Sequence, residues 1–446
     1  MLAFRKVSPG LRPPISGTVL HLVRVFLFFL AFFSALAFYA HVIASRDPGS
    51  VFFKPWTAYD ASYSDLRSYE AVSYLESVNN ATLPTTPKAS SHPGLCVGIA
   101  SIARHGVRYF KTTVGTVLEG LSEEERADIH LILFIAHTDA AQHPAYSEPW
   151  LHEVPDQVLL YDPTEVDIDH IRSLETDAAK VSGREKALFD YTYLLKACEA
   201  ANTPYVIMLE DDVFALDGWY HRTREALASA EKQTEQIGAS KWLYLRLFYT
   251  EELLGWNSEE WPVYLFYSIL TVLLVACTCL GVRQYGPRSA SKLSTETIFL
   301  LSGICTPLLI GLFFATGRAT VLPISDGVHQ MPRFGCCSQA LVFPRSRIPD
   351  LTDLYERKRL GYVDMLTEEY ANENQEIRWA VTPVVMQHAG RRSSKGMNNE
   401  HYTPLKHKSK AELSEVEKLW NFRFETQDAE ALRAEHGFVN EYGLDY

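Results

Sequence analysis

Apolar and polar positions alternate along this chain on two length scales. On the long scale three apolar runs stand out: 25–45 ("VFLFFLAFFSALAFYAHVIAS"), 263–282 ("VYLFYSILTVLLVACTCLGV") and 297–317 ("TIFLLSGICTPLLIGLFFATG"). Each has about the 20 residues that a helix needs to cross a bilayer. The second and third contain no charged residue. Pro307 predicts a kink in the third, which a membrane helix tolerates where neighbours satisfy the freed carbonyl. The first run could also be a cleaved signal peptide, but it exceeds the usual apolar core of one and lacks a clear small-residue cleavage site.

On the short scale, "LCVGIAS", "IHLILFIAHT" and "YVIML" read as buried strands. Between them, "RYFKTTVGTVLEGL" and "GREKALFDYTYLLKACEAA" carry helical spacing. Strands alternating with helices predict an α/β domain built on an open, mainly parallel sheet, with ligands at the carboxyl ends of its strands. This domain begins at 94, is interrupted by the apolar pair, and resumes over 318–395. Its second half reads as the strand "SQALVFP", the helical "DLTDLYERKRL" and "DMLTEEYANEN", and a last strand "RWAVTPVVMQH". Residues 46–93 read as a stem, helical and then turn-rich, and 396–446 as a charged tail.

Positive flanks orient the spans. Arg5, Lys6, Arg12 and Arg24 precede the first, and Arg283, Arg288 and Lys292 lie between the second and third. Residues 1–24 and 283–296 are therefore expected in the cytosol, with 46–262 and everything after 317 on the opposite side. The sequon Asn80-Ala81-Thr82 and the cysteines Cys96, Cys198, Cys336 and Cys337 suit a lumenal location. Those four thiols allow three pairings, and Cys198 also reads as a buried free thiol. Composition adds one exclusion: a formal net charge of -12 points away from nucleic acid as a partner.

The third strand ends abruptly in Glu210-Asp211-Asp212. Three carboxylates crowded at a strand end repel one another, and a hard divalent cation, Mn2+ or Mg2+, would offset that repulsion. Glu210 and Asp212 have the first-and-third spacing common where carboxylates hold a metal and a diphosphate. The tripeptide alone equally fits a solvated loop. The last strand places His388 at another strand end, followed by Arg391, Arg392 and Lys395. Histidine is a fitting further ligand, and the basic residues could hold a diphosphate.

The order "YVIMLEDDV", "QALVFP", "GYVDML", "QHAGRRSSKG" resembles lumenal glycosyltransferases of the GT-A fold. The acidic tripeptide with "QHAGRRSS" is similar to the N-acetylglucosaminyltransferase IV family of N-glycan branching enzymes. A closer resemblance is to the post-GPI-attachment GalNAc-transferase family, through "WLYLRLFYTEELLGW" leading into a membrane hairpin and "CCSQALVFPR" after it. This likeness covers about 95–395; stem and tail inherit nothing from it. It implies a GT-A-like domain interrupted by a transmembrane hairpin, with an N-terminal anchor, in the Golgi membrane. It further implies Mn2+ held by Asp212, His388 and Glu210 with help from Asp211, a UDP-sugar donor, and Asp364 as general base in an inverting transfer to a GPI-anchored protein or GPI glycolipid. Arg104 and Lys186 are candidates for nucleotide contact. Trp256 and Trp261 read either as interfacial anchors beside the bilayer or as sugar-stacking surfaces. Rival readings are an N-glycan branching enzyme and a non-catalytic three-span scaffold; transport would call for charged residues inside the spans, which the hairpin lacks.

Overall fold

The computed structural model describes residues 17–82, 87–103, 109–177, 179–286, 293–331, 336–390 and 417–442. The chain divides into two compact units, Met1–Lys54 with Leu254–Pro323, and Pro55–Leu253 with Ile324–Tyr446.

Among the described residues three helical segments are long and apolar enough to cross a membrane, Gly17–Ile43, Glu251–Tyr285 and Thr295–Thr316, and all but residues 251–253 of them fall in the first unit. The first extends well upstream of the apolar run that marked it. In the third, Pro307 has no N–H to offer the preceding turn, and the helix widens to a π turn over Leu300–Cys305. Trp256 is committed to protein: its indole N–H donates to the Phe314 carbonyl at 3.0 Å, and its ring packs on Tyr264 and Phe313. Trp261 is largely exposed at the start of its helix. Asp47, just beyond the first helix, accepts from Gly49 N–H at 2.8 Å and from Thr320 N–H and Oγ1 at 2.8 and 2.9 Å.

The described residues of the second unit form ten strands: β1 Leu95–Ser101, β2 Ile129–Ile135, β3 Gln157–Leu159, β4 Tyr205–Glu210, β5 Val213–Ala215, β6 Tyr244–Arg246, β7 Gly327–Gln330, β8 Ala340–Pro344, β9 Arg378–Thr382 and β10 Met386–His388. Eight form one sheet in the order β3-β2-β1-β4-β8-β6-β9-β7, and β5 pairs with β10 in a two-stranded ribbon. Only β3, β2, β1 and β4 form a continuous parallel set; β8 enters antiparallel to both β4 and β6. The expected mainly parallel sheet is thus mixed in its second half. Segments from either side of the hairpin share this sheet: β8 pairs β4, and β9 pairs β6.

Alternate residues of the parallel strands feed two cores. Val97, Ile99, Leu131, Leu133, Ile207 and Leu209 face one, while Cys96, Ile132, Phe134, Val206 and Met208 face the other. Burial on both faces is why these strands read as unbroken apolar runs. The helix Lys180–Ala200 lies against β1, where Gly98 allows the approach: a Cβ there would come within 3.0 Å of Leu194 and 3.1 Å of the Cys198 sulfur. Beside it, Cys96 and Cys198 form a disulfide; the other pair is Cys336–Cys337.

Two sequence expectations change here. The helix Ser62–Asn79, assigned to a stem, is part of the domain: Tyr63, Ala71, Leu75 and Val78 are buried on one stripe. Arg67 on the same stripe is also buried, held by Glu70 and Asp217 and by the Thr116 carbonyl. The single last strand is two, because Pro383 cannot continue a ladder and the chain leaves the main sheet for the ribbon.

Candidate active site

β4 delivers four buried apolar residues, Val206 to Leu209, and then the acidic turn. The three carboxylates diverge. Glu210 reaches toward β8, where Ser338 Oγ donates to its Oε1 at 2.8 Å. Asp211 reaches toward the carboxyl end of β1, where Ser101 Oγ donates to its Oδ2 at 2.6 Å. Asp212 faces the ribbon, with its Oδ2 3.7 Å from His388 Nε2. Asp211, Asp212 and His388 are each at most 5% exposed.

Backbone pairing fixes this meeting. β5 begins immediately after Asp212, and in its antiparallel register with β10 His388 sits opposite Val213. Ala389 N–H closes the corner on the Asp212 carbonyl at 2.8 Å. From the helix Tyr109–Leu118, Thr113 Oγ1 donates to the Asp211 carbonyl at 2.8 Å, and Thr116 Oγ1 accepts from Ala215 N–H at 3.1 Å. Gly390 puts no side chain between the two: a Cβ there would lie 2.2 Å from Asp212 Oδ2 and 2.8 Å from His388 Nε2.

The histidine's tautomer follows from its neighbours. His388 Nδ1 lies 3.1 Å from the Leu419 carbonyl, an acceptor only, so Nδ1 carries the hydrogen and Nε2 faces Asp212. Burial pulls the His388 pKa down, but the Asp212 carboxylate, with Glu210 behind it, outweighs burial and the net shift is upward. When Nε2 also carries a proton, that proton lies against the Asp212 carboxylate. A divalent ion would take that proton's place on a nitrogen lone pair. A carboxylate and a backed imidazole facing each other at 3.7 Å, with Gly390 placing no Cβ between them, make a donor set that fits Mn2+ or Mg2+.

Behind Asp211 lies His143. Its Nε2–H donates to Ser101 Oγ at 3.0 Å, and its Nδ1 accepts from Ala145 N–H at 3.2 Å. Burial, with the His137 ring adding, lowers its pKa to about 4, so it stays neutral around pH 7. Behind Glu210, Arg246 binds the carbonyls of Cys336 and Cys337, next to Ser338. Arg246 is itself held by Glu368 at 3.2 Å, in the helix Val363–Glu373.

Asp364 stands in the first turn of that same helix, partly exposed, its Oδ1 accepting from Met365 N–H at 2.9 Å. Lys186 is buried near the carboxyl end of β2. Its ammonium donates to the Ala136 carbonyl at 2.8 Å, Tyr161 OH at 2.9 Å and Asp190 Oδ2 at 2.8 Å, which occupies all three of its hydrogens within the fold. Arg104, Arg391, Arg392 and Lys395 lie outside the described residues.

Sequence reasoning missed Ser101, His143, Arg246, Ser338, Gly390 and the backing of His388. That backing comes from the tail. Besides Leu419, Asn421 exchanges two hydrogen bonds with Gln387, its N–H donating at 3.0 Å and its carbonyl accepting at 2.9 Å. Gln387 also donates to Glu425 at 2.9 Å.

An acidic turn at a parallel strand end, faced by a histidine and backed by neutral donors, suits the handling of a phosphorylated donor. Comparison with known proteins points to glycosyltransferases. Over 147 residues, 31% of the chain, the sequence is 26% identical to an alpha-1,6-mannosyl-glycoprotein 4-beta-N-acetylglucosaminyltransferase of Gallus gallus, a glycosyltransferase. The match spans 31% of that relative's length as well. The profile of the GPI-N-acetylgalactosamine transferase PGAP4 family matches residues 95–387, and the chain belongs to that family.

Proposed function

We propose that this protein is a metal-dependent, inverting glycosyltransferase with a GT-A-like domain. It moves a sugar, GalNAc, from a UDP-sugar to the mannose core of GPI glycans in the Golgi lumen. The observation that carries the reading is the β5–β10 register, which sets Asp212 and His388 against each other from opposite sides of the hairpin. Family membership supports the GPI substrate. The three long apolar helices support a membrane enzyme, and the flanking Arg and Lys residues support a cytosolic N-terminus.

Asp212 and His388 would hold Mn2+, with Glu210 and Asp211 adding negative charge around it. The ion's contribution when bound is to neutralise the diphosphate of the departing nucleotide. Ser101 and Ser338 keep Asp211 and Glu210 pointing apart, so the turn presents its charge without collapsing on itself. The Leu419 carbonyl holds the His388 ring with Nε2 forward. Asp364 would act as general base: its carboxylate takes the proton of an acceptor hydroxyl as that oxygen bonds to the anomeric carbon. The carbon–oxygen bond to the diphosphate breaks on the opposite face, inverting the centre. Arg104, Arg391, Arg392 and Lys395 supply candidate phosphate contacts. Lys186 spends its three hydrogens inside the fold near the carboxyl end of β2. A GPI acceptor is tethered in the same bilayer, which raises its effective concentration at the site.

The test is Asp212→Ala in cells lacking the enzyme, with released GPI glycans analysed by mass spectrometry. Loss of the side-chain sugar is expected; its persistence at normal protein levels would refute catalysis here. A donor-hydrolysis screen with Mn2+ and a chelator control identifies the sugar. The similarity to an N-glycan branching enzyme favours one second reading, which N-glycan profiles from the same cells decide.

A further inference from the structure

The catalytic reading leaves unused a second cluster of ligating side chains in the same unit. Glu125, His221 and His436 each offer one donor atom, and these atoms all lie within 4.8 Å of one another. The residues are 6%, 2% and 8% exposed. They come from three helices distant in sequence: Glu123–Ala127, Trp219–Gln236 and Ala429–Tyr442. His436 Nε2 is 2.9 Å from both oxygens of Glu125, and the two imidazole rings lie 5.3 Å apart with an interplanar angle of 23°.

The local backbone makes room for this convergence. Gly218, in the left-handed region at φ 71°, precedes His221, and a Cβ on it would fall 2.4 Å from His221 Cε1. Ser122 closes a capping box with Glu125: Ser122 N–H donates to Oε2 at 2.9 Å, which fixes the carboxylate while Oε1 still faces His436. Glu435 adds a fourth donor atom, an oxygen 3.4 Å from His221 Nε2, and is steadied by Arg222 at 2.6 Å.

His436 meets Glu125 and His221 meets Glu435 as ion pairs would, but the pairs are not separate: donor atoms of Glu125, His221 and His436 converge within 4.8 Å of one another. Two imidazoles stacked this closely repel one another if both are fully protonated, and a divalent ion would replace the Nε2 hydrogen that each ring offers a carboxylate with a metal–nitrogen bond. Two nitrogens and a carboxylate oxygen are the donors of a borderline ion such as zinc, in contrast to the hard ion suited to the acidic turn. We propose that Glu125, His221 and His436 bind a zinc-class divalent ion that fastens the C-terminal helix to the domain, with Glu435 or water in the fourth position. The fastening bears on the catalytic side, since the segment just before that helix carries Leu419 and Asn421.

The experiment uses the full chain in detergent, carrying Asp212→Asn to remove the acidic turn's own affinity. After stripping with a chelator, cobalt(II) serves as the spectroscopic probe and zinc as competitor. One equivalent of cobalt with the strong visible bands of low coordination, displaced by zinc and not by Mn2+, is expected. His221→Gln and His436→Gln should each weaken binding more than about a hundredfold. Glu125→Gln keeps an acceptor for the capping box and should weaken binding with the fold retained. Zinc should raise the melting temperature of the parent protein and leave that of His436→Gln unchanged. A folded parent that takes up no cobalt at this site, or folded variants that bind as the parent does, would overturn the proposal.

Discussion

Adding one methyl group at Gly390 tests the candidate site most directly. An alanine Cβ at this position would sit 2.2 Å from Asp212 Oδ2 and 2.8 Å from both Asp212 Cγ and His388 Nε2. Ordinary contact begins at 3.4 Å, so the carboxylate oxygen must retreat by roughly 1.2 Å. It has little freedom to do so: the Asp212 carbonyl is held by Ala389, and His388 is pinned from behind by Leu419. Overpacking of this kind costs about 1–3 kcal/mol of stability. Misplacing a reacting or binding group by about 1 Å costs about a hundredfold in rate, or about 2.7 kcal/mol of transition-state stabilisation. Gly390→Ala is therefore expected to fold, with a lowered melting temperature, and to lose about a hundredfold in sugar transfer. Gly183→Ala is the matched control, because nothing lies within 4 Å of its added Cβ. The assay is transfer to GPI glycans in cells lacking the enzyme, read by mass spectrometry and normalised to protein abundance. If Gly390→Ala transferred sugar within threefold of wild type, the space between Asp212 and His388 would not be where the donor's metal sits, and the mechanism would fail.

Gly317→Ala should destabilise the membrane unit by about 1–3 kcal/mol, since φ there is 96° and the Cβ would lie 2.4 Å from Asp47 Oδ2; thermal melts in detergent check it. His143 is pulled from 6.5 to about 4 by burial, with His137 contributing, so the unfolded chain gains its proton first as pH falls. Stability from this group is whole above 6.5 and declines down to about 4, and His143→Gln should flatten that part of a melting-temperature profile against pH. The Cys96–Cys198 disulfide closes a loop of 102 residues. Replacing both cysteines by alanine should cost about 2–5 kcal/mol in denaturant titration, with β1 still packed on its helix through Gly98.

How much of this was readable beforehand depended on whether a residue's role is local. β1, β2 and β4 were legible because burial on both faces leaves an unbroken apolar run. The acidic turn was legible because three charges at the end of such a run have no packing explanation. β5 and β10, three residues each, were not, since a short ribbon has neither length nor period to show itself. The helix Ser62–Asn79 reads as a stem in sequence because a turn-rich stretch follows it, and Arg67 on its inward stripe looks like surface unless its partners Glu70 and Asp217 are known.

The sharpest limit concerns His388. Its position at a strand end was visible in the sequence, but what makes it usable as a ligand was not. The hydrogen on Nδ1 is held by Leu419 from a tail that carried no family signature, and Asn421 and Glu425 hold its neighbour Gln387. A backbone carbonyl carries no side-chain identity, so no residue type could have announced it. The same fact makes the tail's role separable from chemistry. Truncation before 417 would leave Asp212, His388 and Asp364 unchanged in sequence, yet free the imidazole to choose its tautomer. Such a chain should lose transfer while keeping the β5–β10 register, because that register rests on bonds outside the tail.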